Sequence, residues 1–129
     1  MPDPAITRHA RHLALPQVGA EGQRRIAASS ALLIGVGGIG CSTASYLAAS
    51  GVGRLVLCDF DTVDATNLGR QILYGPDDVG QSKAEVARRR LAAINPDIEV
   101  VAIARRLDDA GLAEHVQAAD VVLDGCDNF

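Results

Sequence analysis

The chain has 129 residues, the length of one domain, and its 48% hydrophobic content is enough to bury a core. A formal net charge of −4, from 12 basic and 16 acidic side chains, excludes the basic footprint of sequence-independent nucleic-acid binding, so nucleic acid is not an expected partner. No apolar stretch approaches the roughly twenty residues of a membrane span, and no apolar core precedes Arg8, so a cytoplasmic protein without membrane contact is expected.

Aromatic residues make up only 3% of the chain, which leaves Ala, Val, Leu and Ile to build the core, as buried parallel strands flanked by helices require. Pro16 to Ala28 is a predicted helix with Val18 and Ile26 as its apolar contacts, weakened by Gly19 and Gly22. Ala31 to Gly35 is the first strand, and it breaks into Gly35-Val36-Gly37-Gly38-Ile39-Gly40. Ile39 to Ser50 is a small-residue helix stopped by Gly51, which suits the left-handed C′ position. Leu55 to Cys58 is the second strand, parallel to the first through a right-handed crossover, and it ends at Asp59-Phe60-Asp61.

Thr62 to Gln81, which contains Asn67-Leu68-Gly69-Arg70-Gln71, has no sustained period and reads as a long loop with one helical turn. Loops of this length inside a domain tend to be functional. Ser82-Lys83-Ala84-Glu85 is a capping box opening a helix whose apolar stripe is Ala87, Leu91 and Ile94 and which Pro96 ends. Its Arg88-Arg89-Arg90 run reads as a solvated face. Glu99 to Ala104 is the third strand, Asp109 to Ala118 a helix resting on Leu112 and Val116, and Asp120 to Leu123 the fourth strand. Cys41, Cys58 and Cys126 form no CxxC pair and are expected as buried, reduced thiols.

The expected fold is α/β: a Rossmann-like doubly wound sheet, mostly parallel, with its N-terminal half in one domain over 1–129 that stops after the fourth strand. With strand order 3-2-1-4, Val121, Val122 and Leu123 would form an apolar run on an open edge. The isolated chain is then expected to pair or aggregate there.

The chemistry concentrates at strand ends. In the glycine run, Gly35 permits a tight turn, Gly37 lets backbone approach a phosphate, Gly38 adds access, and Gly40 allows the following helix to pack on the strand. That spacing serves NAD, FAD and some ATP sites alike. Asp59 stands about twenty residues beyond Gly40, the spacing at which an acidic strand end meets ribose hydroxyls. Arg70 and Lys83 add two cations. A dinucleotide pyrophosphate carries less charge than a triphosphate, so the charge count favours ATP over NAD. Lys83 also falls in the first turn of a helix, where a cation is disfavoured by a few tenths of a kcal/mol unless an anion lies near.

Taken in order, Gly35-Val36-Gly37-Gly38-Ile39-Gly40-Cys41, Asp59-Phe60-Asp61-Thr62-Val63, Asn67-Leu68-Gly69-Arg70-Gln71, Val79-Gly80-Gln81-Ser82-Lys83, Ile94-Asn95-Pro96 and Asp124-Gly125-Cys126-Asp127-Asn128 resemble the adenylation domain of the ThiF/MoeB/HesA family, relatives of the ubiquitin-activating enzymes. The resemblance runs from Arg8 to Phe129. It implies ATP-dependent adenylation of the C-terminal glycine of a ubiquitin-like sulfur-carrier protein of the molybdopterin or thiamine type. It implies a nucleotide site of Gly35, Gly37, Gly38, Gly40, Asp59, Asp61, Asn67, Arg70, Lys83, Asp127 and Asn128. Within it Gly38 lies against the nucleotide, Asp59 holds the ribose, Asn67, Arg70 and Lys83 contact phosphates, and Asp127 holds Mg²⁺. Arg11, within Arg8-His9-Ala10-Arg11-His12, matches an arginine that reaches the triphosphate of the other subunit of a homodimer; its neighbours depart from the family's Arg-Tyr-x-Arg-Gln pattern. Arg70, Lys83, Asp127 and Arg11 are the implied catalytic set.

Other departures bear on activity. Family members are commonly longer, and their later segments supply the carrier groove, a paired CxxC zinc site and, in several, a sulfur-handling cysteine. Zinc is therefore expected only past Phe129, and the chain alone is expected to bind nucleotide without carrier-dependent ATP-pyrophosphate exchange. Cys126 reads as a small residue beside a strand end, and Gly69 replaces a longer polar residue. The alternatives are a tRNA threonylcarbamoyladenosine dehydratase of the same superfamily, a non-catalytic nucleotide-binding or dimerisation module, and an NAD-dependent oxidoreductase.

Overall fold

The structure is a computed structural model and describes residues 7–125, so Cys126, Asp127 and Asn128 lie outside the described residues. Two continuous apolar runs form the centre of the sheet: β1 (Ser30–Ile34) and β2 (Arg54–Cys58), each with its middle three residues buried. They pair in parallel from Ser30↔Arg54 to Ile34↔Cys58. β3 (Glu99–Ile103) adds to β2 and β4 (Val121–Asp124) to β1, giving the all-parallel order β3-β2-β1-β4. The α/β doubly wound arrangement is as expected.

Side chains alternate across the sheet, so neighbouring residues enter different cores. On one face Leu33, Leu55 and Leu57 pack with Cys41, Ala44 and Ala48 of α3 (Gly38–Ser50) and with Val86, Ala87 and Leu91 of α4 (Lys83–Ile94). On the other face Leu32, Val56 and Ile103 form a smaller cluster with Leu107 and Ala119. These last two flank α5 (Asp109–Ala118). Gly51 ends α3 at φ +90°, the left-handed cap expected of it. Among the described residues no helix is long and apolar enough to cross a membrane.

Several expectations need correction. The helix expected from Pro16 starts only at Gly19, as α2 (Gly19–Ala28), because the left-handed φ of +58° at Gly19 breaks the chain away from the turn before it. In α4 the inward residues are Ala84, Val86, Ala87 and Leu91, whereas Ile94 lies at the exposed end of the helix. Only half of the capping box forms: the Ser82 hydroxyl accepts from the Glu85 N–H at 3.3 Å, but the Glu85 carboxylate turns to Arg88, 3.0 Å away. Val116 is exposed and α5 buries no residue. Cys41 is buried and free, but Cys58, at the end of β2, is only partly buried. The edge strand is open as expected at Val121 and Val122, 52% and 40% exposed, but Leu123 packs partly against the larger core.

A short helix that the sequence did not announce, α1 (Ala10–Ala14), docks at the amino ends of the strands. The His12 ring nitrogen Nδ1 lies 3.0 Å from the Gln23 Oε1, and the Gln23 amide donates to the Ser50 carbonyl. His9 stacks on His12 with ring centroids 5.7 Å apart. Its ring also covers Gly51 so closely that a Cβ there would fall 2.8 Å from the His9 Nε2.

Burial, then the neighbouring His12 and Arg8, hold the His9 pKa below 6.5, with Asp97 opposing. Between that lowered value and 6.5 the unfolded chain binds more protons than the folded one, so stability rises with pH across the window and is lost as pH falls through it. The melting temperature should therefore drop as the buffer is taken below pH 6.5. His9→Phe, which keeps the stacked ring, should flatten that drop; an unchanged pH profile would place its origin elsewhere.

Candidate functional site

The carboxyl ends of β1 and β2 hold the glycine turn. Gly35 takes φ +93°, and its N–H donates to the Cys58 carbonyl at 2.8 Å. Gly37 is the N-cap of α3 and supplies no side-chain cap, so the first N–H groups of a thirteen-residue helix face the turn without a side-chain acceptor. A Cβ on Gly40 would overlap the Gly35 carbonyl oxygen, which is why the helix can sit this close to the strand.

The peptide between these glycines is held on both sides. The Val36 N–H donates to Asp59 Oδ2 at 2.9 Å, while the Val36 carbonyl accepts from the Tyr74 hydroxyl at 2.6 Å and from the Cys41 thiol at 3.2 Å. Burial pushes both the Tyr74 and Cys41 pKa upward, so the phenol stays a donor and the thiol is no thiolate nucleophile. The other Asp59 oxygen accepts from the Asp61 N–H at 2.8 Å. Each carboxylate oxygen keeps a further acceptor site for a hydroxyl.

The segment from Thr62 to Gln81 closes on itself. The Val63 N–H donates to Gln81 O and the Gly80 N–H to Val63 O, both at 2.8 Å, and Thr62 bridges Ser82. It contains two short helical turns, at Ala65–Asn67 and Pro76–Asp78, where one was expected. Asp64 caps the first: its carboxylate accepts from the Thr66 N–H and hydroxyl, which lower its pKa. Asn67 is buried and its Oδ1 accepts from the Asp64 N–H at 2.9 Å, so half of its amide is already a structural cap. In the second turn the Gly75 N–H, and then Arg90 3.0 Å away, lower the Asp78 pKa.

This closed excursion returns Arg70 to the turn, with its carbonyl 3.6 Å from where a Cβ on Gly38 would lie. It also delivers Lys83, whose N–H donates to the Asp61 carbonyl at 3.1 Å. Lys83 is 7% exposed at the first position of α4, and among the described residues no carboxylate comes within ion-pair distance of it or of Arg70. Asp64 attracts it only at longer range.

The structure thus brings Gly35, Gly37, Gly38, Gly40, Asp59, Asp61, Asn67, Arg70 and Lys83 to one end of the sheet. It does not bring Arg11 there. Arg11 is exposed on α1 at the opposite, amino end of the strands, about one strand length or 16 Å away. Asp127 and Asn128 lie outside the described residues, although Gly125 passes against the turn, its N–H donating to Ile34 O at 2.7 Å. A 110 Å³ cavity between Gly35, Gly40, Thr43 and Gly125 opens at this end. A larger 470 Å³ cavity lies under α1 instead, and its Gln23 and Asn95 amides are already bonded to the Ser50 and Ala48 carbonyls. Sequence reasoning assigned no role to Gln71 or Tyr74; adjacency to Arg70 was the only available signal.

Residues 9–129 match the family described as the ThiF family. The chain is 45% identical over 124 residues to the probable adenylyltransferase/sulfurtransferase MoeZ of Mycobacterium tuberculosis, covering 96% of this chain and 32% of that protein. It is 43% identical over 129 residues to the sulfur carrier protein ThiS adenylyltransferase of Escherichia coli, covering all of this chain and 51% of that protein. The crystal structure of E. coli tRNA N6-threonylcarbamoyladenosine dehydratase, TcdA, in complex with ATP superposes with a TM-score of 0.89 at 30% identity, covering 98% of this chain and 52% of that one. The chain therefore spans about a third to a half of the length of these proteins.

Proposed function

The chain belongs to the ThiF family, and from that premise we propose that residues 1–129 form the ATP-binding part of an adenylyltransferase acting on the C-terminal carboxylate of a ubiquitin-like sulfur-carrier protein. The observation that carries this reading is a pair of cations, Arg70 and Lys83, set without carboxylate partners among the described residues beside an uncapped helix N-terminus. Such an arrangement suits a polyanion better than a dinucleotide. The relatives' names supply the carrier, and the ATP complex of TcdA supports the nucleotide. TcdA speaks for the superfamily, and the net charge of −4 does not favour a tRNA substrate.

In this reading Asp59 holds the ribose, Gly37 and Gly38 admit the phosphates, and Asn67 offers its remaining amide donor with Arg70 and Lys83. Arg11 serves the site of a second subunit, a role compatible with its place on α1 at the other end of the strands. Asp127, outside the described residues, would hold Mg²⁺, and the ion would offset phosphate charge when bound. The protein works in the cytoplasm.

A carboxylate with an ordinary pKa of about 3.5 is already an anion, so the step needs no general base. One carboxylate oxygen forms a bond to the α-phosphorus, the bond from that phosphorus to the bridging oxygen breaks, and pyrophosphate leaves with the electron pair. Catalysis is then positioning and charge neutralisation.

Titration calorimetry with ATP and with NAD tests the ligand. ATP should bind, and at about a hundred times its Kd should stabilise the fold by about 2.7 kcal/mol; tighter NAD binding would refute the reading. Asp59→Ala should cost about 1.5 to 3 kcal/mol of ATP affinity through its lost ribose bonds. It should also lower the melting temperature, since Asp59 fastens the N–H groups of Val36 and Asp61.

A further inference from the structure

Gln71 is 3% exposed, yet its Oε1 is buried with no hydrogen-bond partner. Burying an amide oxygen unpaired is unfavourable, and methionine would fill similar space without that cost. The other end of the carboxamide must therefore do something that an apolar side chain cannot. That end faces the glycine turn: Nε2 lies 3.6 Å from the point a Cβ on Gly37 would occupy. The missing Cβ is what opens this notch, directly over the first turn of α3, and an anion drawn to the helix N-terminus would fill that volume. An oxygen seated there would need only a small approach to reach hydrogen-bond distance of the Gln71 amide.

The segment carrying Gln71 is fixed against the turn rather than draped over it. The Gln71 N–H donates to Asn67 O at 2.9 Å, its carbonyl accepts from the Tyr74 N–H at 3.2 Å, and the Tyr74 hydroxyl grips Val36 O. Arg70, one residue before, is exposed, and its long side chain is held by no ion pair among the described residues. A flexible cation can neutralise a phosphate but cannot define where it sits; a buried amide on a fastened backbone can.

We infer that Gln71 is a phosphate-positioning residue, donating its Nε2–H to the phosphate oxygen in the notch over Gly37 while Arg70 and Lys83 supply the charge. The inference rests on the nucleotide reading above. It also explains the orphaned oxygen, since turning the carboxamide to point donors inward would set an acceptor against the anion.

Gln71→Glu and Gln71→Met decide the matter through the ratio of ATP to adenosine affinity, measured by calorimetry on the purified protein. Gln71→Met should weaken ATP by about ten- to a hundredfold, the share of one hydrogen bond to a charged group, and Gln71→Glu, which sets a carboxylate against the phosphate, by more still. Adenosine should change by less than about twofold in both. Gln71→Met should melt no lower than the wild type, because it removes the unpaired oxygen. Equal losses for ATP and adenosine, or a lower melting temperature with ATP affinity intact, would make Gln71 a structural residue and overturn the inference. If Gln71→Glu does not fold, the Gln71→Met ratio decides alone. Wild-type protein that binds adenosine as tightly as ATP would overturn the nucleotide reading itself, a failure visible before any variant is made.

Discussion

Gly40→Ala is expected to cost about 3 kcal/mol of stability, the upper end of overpacking, and to lower the melting temperature by roughly 10 to 20 °C. The new Cβ would overlap the Gly35 carbonyl oxygen and come within 3.0 Å of its carbon. Both atoms are backbone, and neither can swing aside as a flexible side chain would. The Gly35 peptide is further pinned by its bond to Cys58 and by the strand it ends.

Gly37→Ala offers the converse. Its Cβ would meet only the Gln71 amide, at 3.6 Å, an ordinary contact, so the fold should melt within a few degrees of the wild type. That methyl group would nonetheless fill the notch over the helix N-terminus, and ATP binding should fall sharply. Gly53→Ala supplies a control at the far end of the sheet, where a Cβ would overlap the Ala27 carbonyl oxygen. It should destabilise like Gly40→Ala without a specific effect on ATP in the molecules that remain folded. A Gly37→Ala protein that binds ATP normally would remove the phosphate from this turn.

The contrast among these glycines shows what the sequence could carry. The strands were legible because β1 and β2 are unbroken apolar runs, the form taken by strands buried on both faces, and because the glycine run and Gly51 mark where a helix begins and ends. α1 was not legible: its five residues bury nothing, and His9 and His12 meet partners on α2 and at the end of α3 that are distant in sequence. The stripe on α4 failed at Ile94 because the last turn leaves the core. There Asn95 is tied to the Ala48 carbonyl and Arg8 takes up the Ile94 carbonyl at 2.9 Å. Glu85 chose its neighbour Arg88 over the cap, a competition between two local partners that a motif cannot rank.

In the candidate site the charged and glycine positions were legible because their chemistry is narrow. An arginine in a long glycine-bounded loop, and a lysine where a helix dipole opposes it, each ask for an anion. Tyr74 and Gln71 ask for nothing specific: a phenol passes for an apolar residue and an amide suits any surface. What singles them out is the long-range bond from Tyr74 to Val36 and the unpaired Gln71 oxygen, both products of the closed 62–81 excursion.

Lys83→Met should reduce ATP affinity about ten- to hundredfold, the loss of a hydrogen bond to a charged group, while leaving adenosine nearly unchanged. It should do so without destabilising the protein. The lysine stem is buried and methionine fills much the same space, so packing is kept. The cation itself sits at the positive end of α4 with no carboxylate partner in ion-pair range among the described residues, and removing it should raise stability by a few tenths of a kcal/mol. Stability and affinity would thus move in opposite directions for one substitution. A lysine kept for packing or for a surface ion pair predicts the reverse, with loss of stability and equal effects on ATP and adenosine. Melting curves and paired titrations on the same preparation separate the two. Raising the salt concentration should shrink the difference between wild type and Lys83→Met toward ATP, because screening weakens what the lysine contributes and leaves the adenosine contacts alone.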